Sequence, residues 1–177
     1  MASITRIALI GLRGTGKSTV GKLLADRLGW SFADSDDAVE LNAGKTIARI
    51  FAEDGEPRFR DLEANAVVEK FSQDRIVLAT GGGAILRTAT RSLLKANGFV
   101  VWLTGPVAVL AERLAIDSTT TSRRPLLTAM TGSEELAALN VVREPLYREI
   151  AHLAVDTKNR TPDEIATTIE RAFPVKG

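Results

Sequence analysis

Residues 11–18 have the types and spacing of a site that binds phosphate groups, because they read GLRGTGKS. They follow the apolar run 7–10 and precede a segment whose apolar residues recur with helical spacing. A strand, a glycine-rich turn and a helix start are the context of a P-loop, in which backbone N–H groups face an anion. Lys17 then supplies a positive charge for the β- and γ-phosphates, and Ser18 supplies a hydroxyl for Mg²⁺. We therefore predict a nucleotide phosphate site here, in preference to a glycine-rich turn with a chance lysine.

Two carboxylates could complete that site. A P-loop enzyme needs a carboxylate near Mg²⁺, often at the end of a neighbouring strand, but the strand predicted at 76–79 ends without one. Asp34 and Asp36 follow the short strand predicted at 30–33, and residues two apart in an extended segment point the same way. Asp34 could hold Mg²⁺ through water while Asp36 faces an acceptor hydroxyl. The alternative is that Asp34, Asp36 and Asp37 cap the next helix.

A run of three glycines is a second candidate for ligand contact. Gly81, Gly82 and Gly83 follow the apolar strand predicted at 76–79. Since they lack Cβ atoms, they allow a ligand to approach the backbone and its N–H groups closely. A tight turn would explain one or two of them, but three at the carboxyl end of a buried strand favour a ligand site.

Several arginines could bind anions. Arg60 lies one helical turn from a glutamate that could orient it, Arg143 lies on a late helix, and Arg124 lies in a polar segment just before a proline. A guanidinium matches a carboxylate bidentately, so two arginines converging on a small carboxylic acid, with a third on the phosphates, would suit a small-molecule kinase. The alternative for any single arginine is a solvated surface position, as we expect for Arg58 and Arg123.

The rest of the chain alternates strands and helices, the pattern of a three-layer α/β fold around a parallel sheet. Strands are predicted at 4–10, 30–33, 76–79, 99–103 and 152–155. Ligands of such folds bind beyond the carboxyl ends of the strands, where the P-loop, the aspartates and the glycines all lie. The polar segment 117–125 is typical of a lid or a disordered loop.

Length and charge limit the classes of function that the chain can have. Its 177 residues suit one domain, and 23 basic against 22 acidic residues give no reason to expect nucleic acid or a membrane surface as a partner. The absence of cysteine excludes disulfides, thiolate metal sites and a cysteine nucleophile. No apolar run approaches the ~20 residues of a membrane span, and the early first strand leaves no room for a signal peptide. We expect a cytoplasmic protein.

The motifs together resemble those of the shikimate kinases, within the larger group of nucleoside-monophosphate-kinase-like P-loop proteins. They occur in family order and span nearly the whole chain. They are GLRGTGKS at 11–18, DSD at 34–36, DGE at 54–56, FRDLE at 59–63, TGGG at 80–83, RPLL at 124–127 and REPLYR at 143–148. The resemblance implies one domain over residues 1–177, with a five-stranded parallel sheet in order 2-3-1-4-5. It also implies a substrate-binding region near 36–63 and a lid near 114–128.

The resemblance implies a reaction as well. It is transfer of the γ-phosphoryl group of ATP, with Mg²⁺, to the 3-hydroxyl of shikimate, giving shikimate 3-phosphate and ADP in the pathway to chorismate and the aromatic amino acids. The expected partners are ATP and shikimate, without nucleic acid or membrane, and the expected state is a monomer.

Each implied role falls on a residue of this sequence. Catalysis is assigned to Lys17, Asp36 and Arg124, and metal binding to Ser18 and Asp34. The implied nucleotide contacts are Gly14, Thr15, Gly16, Lys17, Ser18, Thr19, Arg124 and Arg160. The implied shikimate contacts are Asp36, Phe51, Phe59, Arg60, Gly81, Gly82, Gly83 and Arg143. Two departures from the family pattern are the extra charge of Arg13 in the P-loop and Ala79 where some relatives carry a small polar residue.

Other functions remain to be weighed. Another small-molecule kinase on the same scaffold, such as a gluconate kinase, is an alternative, although the FRDLE segment favours shikimate. A GTP-binding switch protein would need an N-K-x-D motif, which the sequence lacks. A pure binding module would not require Lys17, Ser18 and the paired aspartates together.

Overall fold

The computed structural model describes residues 4–117 and 132–174. The strands are β1 (Arg6–Ile10), β2 (Ser31–Asp34), β3 (Ile76–Ala79), β4 (Phe99–Thr104) and β5 (Leu153–Asp156). The helices are α1 (Lys17–Leu28), α2 (Ser35–Ala43), α3 (Ile47–Glu53), α4 (Gly55–Phe71), α5 (Thr88–Asn97), α6 (Val107–Ile116), α7 (Gly132–Ile150) and α8 (Pro162–Ala172). A single 3₁₀ turn, Ala84–Leu86, follows β3.

The strands pair in the order β2-β3-β1-β4-β5, and every pairing is parallel. This confirms the fold and strand order expected from the sequence. In register, Asp34 at the end of β2 lies opposite Ala79 of β3, and Ala79 lies opposite Leu9 of β1. The turns that follow these three strands therefore emerge side by side at one edge of the sheet.

Side chains along β1 point alternately to the two faces of the sheet, and most of the core is divided between these faces. Ile7 and Leu9 pack in a cluster with α1 and α8, whereas Ala8 and Ile10 pack in a cluster with α4, α5, α6 and α7. All four side chains are fully buried. Helices on both faces explain why β1 and β3 are continuous apolar runs rather than alternating ones.

A third apolar cluster lies between α2, α3 and α4 and contains no strand residue. Ile47, Ile50 and Phe59 are fully buried in it, and the ring of Phe51 packs 4.7 Å from that of Phe59. These three helices carry the segment 36–63 that the resemblance connects with substrate binding. The acceptor side of the molecule thus has a small core of its own.

Local capping signals set several of the helix ends. Gly29 and Gly44 follow α1 and α2 in the left-handed region, with φ of 65° and 62°. Thr46 caps α3 through the N–H of Arg49, and Thr161 forms a capping box at the start of α8.

Among the helices of the described residues, none combines the length and apolarity needed to cross a membrane.

His152 bonds to the backbone of β4 just before β5 begins. Its Nδ1 accepts the N–H of Val100 at 3.0 Å, and its own backbone N–H donates to the Val100 carbonyl at 2.8 Å. An acceptor Nδ1 requires the neutral ring with its proton on Nε2. Burial, and then the nearby Lys95 ammonium, lower the pKa of His152 below its usual value. The ring stacks on Phe99, and its role is structural.

This geometry predicts that His152 makes the fold sensitive to mild acid. Because its pKa is lower folded than unfolded, the stabilisation is complete above about pH 6.5 and is lost as pH falls through the folded pKa. His152→Asn keeps an acceptor near the Nδ1 position but does not titrate. Between pH 7.5 and 5.5, we expect the melting temperature of the wild type to fall more than that of the variant. Parallel curves in thermal unfolding would contradict this role.

Candidate active site

The P-loop, the paired aspartates and the triple glycine line one cavity of about 540 Å³ at the carboxyl edge of the sheet. The sequence-predicted site residues that line it are Gly14, Gly16, Lys17, Ser18, Thr19, Asp34, Asp36, Gly81 and Gly82. Residues up to 68 positions apart in the chain thus meet because three parallel strands end together.

The P-loop backbone packs closely against α6 at Gly14. Because its glycines carry no side chain, a ligand can reach the backbone N–H groups. Gly14 has φ of +82°, and a Cβ there would lie 2.9 Å from the carbonyl oxygen of Leu110. Gly16, the N-cap of α1, also has positive φ and offers no side-chain cap to the helix. The first N–H groups of α1, at Lys17, Ser18 and Thr19, are therefore available to an anion that enters along the helix axis.

Lys17 and Thr15 brace the loop from within. The Lys17 ammonium donates to the carbonyls of Gly11 and Leu12, each at 2.8 Å. The buried Thr15 hydroxyl donates to the Leu12 carbonyl at 2.9 Å and does not line the cavity. Since a phosphate is a stronger partner for an ammonium than a peptide carbonyl is, Lys17 can exchange its loop contacts for a bound nucleotide.

Asp34 connects the end of β2 to both the P-loop and α2. One carboxylate oxygen accepts the Ser18 hydroxyl at 2.5 Å, and the other accepts the backbone N–H of Asp36 at 2.8 Å. The alternative that an aspartate caps α2 is thus correct for Asp34, and the same side chain also faces the cavity. Desolvation by burial, and then repulsion from Asp36, raise the pKa of Asp34 above its usual value.

The donors at this corner fit a hard divalent cation. Ser18 and Asp34 present a hydroxyl and a partly buried carboxylate side by side, and a cation there would relieve the crowding of charge between Asp34 and Asp36. Within residues 4–117 and 132–174, no group of three His, Cys, Asp or Glu side chains could hold a metal by itself. That suits Mg²⁺, which proteins bind through one or two side chains together with phosphate oxygens and water.

The triple glycine is clamped from two sides. Gly81 donates its N–H to the buried Ser35 hydroxyl at 2.8 Å, and Gly82 accepts the Tyr147 hydroxyl at 2.6 Å. Among the described residues, no acceptor is present for the N–H of Gly82, which lines the cavity. The clamp therefore fixes the turn and leaves the Gly82 N–H available to a ligand in the cavity.

Two guanidinium groups flank this turn. Arg60 pairs with the buried Glu63 at 2.7 Å and with Glu56 at 3.0 Å, and it packs directly against the backbone of Gly83, where any Cβ would collide with it. Arg143 is buried on α7, and a Cβ at Gly82 would lie 3.1 Å from its Nη1. The structure thus brings Arg60 and Arg143 together around the triple glycine, although neither lines the cavity itself.

Three further predicted residues lie away from the cavity. Phe51 and Phe59 pack in the α2–α4 cluster beside Arg60. Arg160 turns onto α8, where its guanidinium contacts Thr168, so the structure does not bring it to the P-loop. Its stacking on adenine stays a prediction. Arg124 and most of the expected lid lie outside the described residues.

Sequence reasoning missed Arg113 of α6. Its guanidinium donates to the Gly14 carbonyl at 3.2 Å and to the hydroxyl and carbonyl of Thr157 at 2.9 and 2.8 Å, and it lines the cavity. It belongs to no spacing motif. The signal was topological, because α6 follows β4, the strand beside β1, and its last turn therefore reaches the P-loop.

The cavity thus has two chemically distinct halves. The P-loop half offers N–H groups, Lys17 and a metal corner, which suit a nucleoside triphosphate. The half around the triple glycine offers a carboxylate, a backbone donor and two neighbouring guanidinium groups, which suit a small hydroxylated acid. Phosphoryl transfer from one half to the other is the chemistry that this arrangement can perform.

Comparison with known proteins gives a consistent result. The family model for shikimate kinase matches residues 13–173. The shikimate kinase of Rhodopirellula baltica is 46% identical over 166 residues, which cover 94% of this chain and 89% of that protein. A solved shikimate kinase from Acinetobacter baumannii in complex with shikimate has a TM-score of 0.88 and 39% identity, covering 95% of this chain and 92% of that one.

A solved gluconokinase resembles this chain in fold but not in sequence. A gluconokinase from Sinorhizobium meliloti has a TM-score of 0.64 but only 20% identity, over 97% of this chain and 93% of that chain. Such a likeness places the two on the same scaffold and does not extend to the acceptor.

Because the Asp34 carboxylate is desolvated and repelled by Asp36, we predict that Asp34→Asn keeps or raises the stability of the fold while it weakens binding of Mg²⁺ with ATP. Without ligands, we expect the variant to melt at the same temperature as the wild type or higher, because it removes a desolvated charge repelled by Asp36. The added stability from Mg²⁺ with ATP should fall sharply. Both quantities are measured by thermal unfolding with and without the ligands.

Asp34→Ala is the control, since Asn can still cap α2 whereas Ala loses about 1 kcal/mol with the cap. If the Asn variant melted at as low a temperature as the Ala variant, burial and repulsion from Asp36 would not destabilise the ionised Asp34 in the folded protein.

Proposed function

The chain belongs to the shikimate kinase family, and from this we propose that it transfers the γ-phosphoryl group of ATP to the 3-hydroxyl of shikimate. The products are shikimate 3-phosphate and ADP, on the route to chorismate and the aromatic amino acids. The observation that carries the proposal is that Arg60 and Arg143 flank the triple glycine, whose Gly81 and Gly82 line the same cavity as the P-loop. We further propose, on the resemblance, a monomer in the cytoplasm.

In the acceptor half, Arg60 and Arg143 hold the carboxylate of shikimate. Glu63 is buried and fixes the Arg60 guanidinium at 2.7 Å, so that little side-chain freedom is lost on binding. Gly81, Gly82 and Gly83 let the ring approach the backbone, and the Gly82 N–H donates to the substrate. Phe51 and Phe59 support the ring side of the site.

Asp36 binds the hydroxyl groups of the acceptor. It lines the cavity two residues beyond Asp34, on the first turn of α2, and so lies between the metal corner and the triple glycine. A carboxylate there accepts a hydrogen bond from the reacting hydroxyl and directs its oxygen at the γ-phosphorus. Orientation of this kind supplies much of the rate in phosphoryl transfer.

In the nucleotide half, the phosphates lie on the first turn of α1. Gly14, Thr15, Gly16, Ser18 and Thr19 form the cradle, and Lys17 turns from the carbonyls of Gly11 and Leu12 to the β- and γ-phosphates. We assign charge stabilisation of the transferring group to Lys17 and Arg124, and contact with adenine to Arg160.

Ser18 and Asp34 would hold Mg²⁺ with the nucleotide. The metal, when bound, neutralises charge on the β- and γ-phosphate oxygens. Asp34 would act through water and would remain hydrogen-bonded to the backbone of Asp36, which keeps the metal corner in register with the acceptor carboxylate.

The proposal is tested by measuring ADP release by the purified protein with Mg²⁺ and ATP, in the presence of shikimate, gluconate or no acceptor. We expect turnover that depends on shikimate, with the other two conditions at background. Equal rates with all three would refute the proposed acceptor, and gluconate-dependent turnover would establish the alternative kinase.

The position of Asp36 predicts that Asp36→Asn lowers kcat by about 100-fold or more, while binding of ATP changes little. The neighbouring Asp37, which is exposed and does not line the cavity, provides a matched control of the same chemistry. Asp37→Asn should retain turnover near that of the wild type. Steady-state kinetics and nucleotide titration give both quantities, and a wild-type kcat for Asp36→Asn would disprove its role.

A further inference from the structure

Arg13, the extra charge of the P-loop, reaches a carboxylate 122 residues away. Its Nη2 lies 3.3 Å from Oε2 of Glu135, in the first turn of α7. The Glu135 side chain is only 2% exposed and that of Arg13 17% exposed. This ion pair joins the nucleotide loop to α7, the helix that carries Arg143.

Glu135 lies on the same buried face of α7 as the acceptor residues. Arg143 follows it by eight positions and Tyr147 by twelve, and all three are buried. At 3.6 residues per turn, Arg143 lies about 80° and Tyr147 about 120° around the helix from Glu135, so the three share one broad buried face. A movement of α7 as a whole would therefore move Arg143 and, beyond Pro145, the Tyr147 hydroxyl that bonds to Gly82.

The P-loop end of the contact is anchored. The Gly14 backbone packs against Leu110, and its carbonyl accepts from Arg113. Arg13 thus extends from a loop that is tied to α6. Because Glu135 is buried, its contact with the Arg13 guanidinium is little screened by solvent and ties this end of α7 to the loop.

We propose that Arg13 and Glu135 form a positioning pair, which sets α7 and its Arg143 at the correct distance from the nucleotide loop. Arg13 therefore belongs to the P-loop in sequence, but its main effect falls on the acceptor. The inference rests on the proposed function, because the acceptor whose affinity it governs is shikimate. The competing role is a direct contact between Arg13 and the phosphates, since Arg13 also lines the cavity.

The experiment is a double-mutant cycle on the full chain with Arg13→Met, Glu135→Gln and both together. KM for shikimate, KM for Mg²⁺ with ATP, and kcat are measured for each protein. Arg148→Met with Glu144→Gln is the matched control, because this pair also lies on α7 at 2.7 Å but is exposed. Thermal unfolding checks that each variant is folded, and Arg13→Gln replaces Arg13→Met if the latter is not.

We expect each single change to raise KM for shikimate by about tenfold, with KM for ATP within about threefold of the wild type. The double variant should be no worse than the worse single one, because a broken pair cannot be broken twice. The control pair should leave all constants unchanged.

Two outcomes would overturn the inference. If Arg13→Met raised KM for ATP about tenfold and left that for shikimate unchanged, Arg13 would be a phosphate ligand. If the two effects multiplied in the double variant, the residues would act independently.

A wild type without shikimate-dependent turnover would refute the proposed function instead. The positioning pair would then still be tested by amide hydrogen exchange along residues 132–150, which should be faster in both single variants and unchanged in the control.

Discussion

Parallel pairing of β2 with β3 and of β3 with β1 is the constraint on which the site depends. The register sets Asp34, Ala79 and Leu9 in one row, so the turns after these strands emerge together. A slip of one residue in β2 would turn Asp34 away from Ser18 and reverse which β2 side chains face the core. The continuous apolar sequence of β3, buried on both faces, holds this register from the centre. Polar chemistry at the edge of the sheet thus rests on apolar packing within it.

Charge at that edge is only partly compensated by the protein itself. Asp34 is desolvated and close to Asp36, while the Lys17 ammonium donates to two peptide carbonyls of the loop. A cation beside Asp34 and a phosphate beside Lys17 would each stabilise this edge of the sheet, so ligand binding would add to the stability of the fold. The side around the triple glycine differs, because there Arg60 already pairs with Glu63 and Glu56.

The sequence predicts most of the fold and the parts of the site that are coded locally. Strand order came through the family resemblance, whereas the P-loop, the Asp34 cap and the glycine turn are short motifs whose spacing carries their geometry. Arg113 and Glu135 could not be found this way, since each acts on the P-loop from more than ninety residues away. Such partners are set by how helices pack on the sheet, which single-sequence periodicity does not specify. For Arg160, in contrast, the family resemblance predicts a contact with adenine, but the side chain packs along α8 in the structure.

The small core of α2, α3 and α4 contains no strand residue, and that separation bears on how such enzymes diversify. Phe51, Phe59 and Arg60 all belong to these helices, so substitutions that reshape the acceptor pocket disturb a cluster apart from the two that support the sheet. Selection can therefore exchange one acceptor for another while the phosphate-binding scaffold keeps its stability. The part of the proposed acceptor site that these helices carry can thus vary without disturbing the two clusters around the sheet, whereas Arg143 and the triple glycine lie outside this small core.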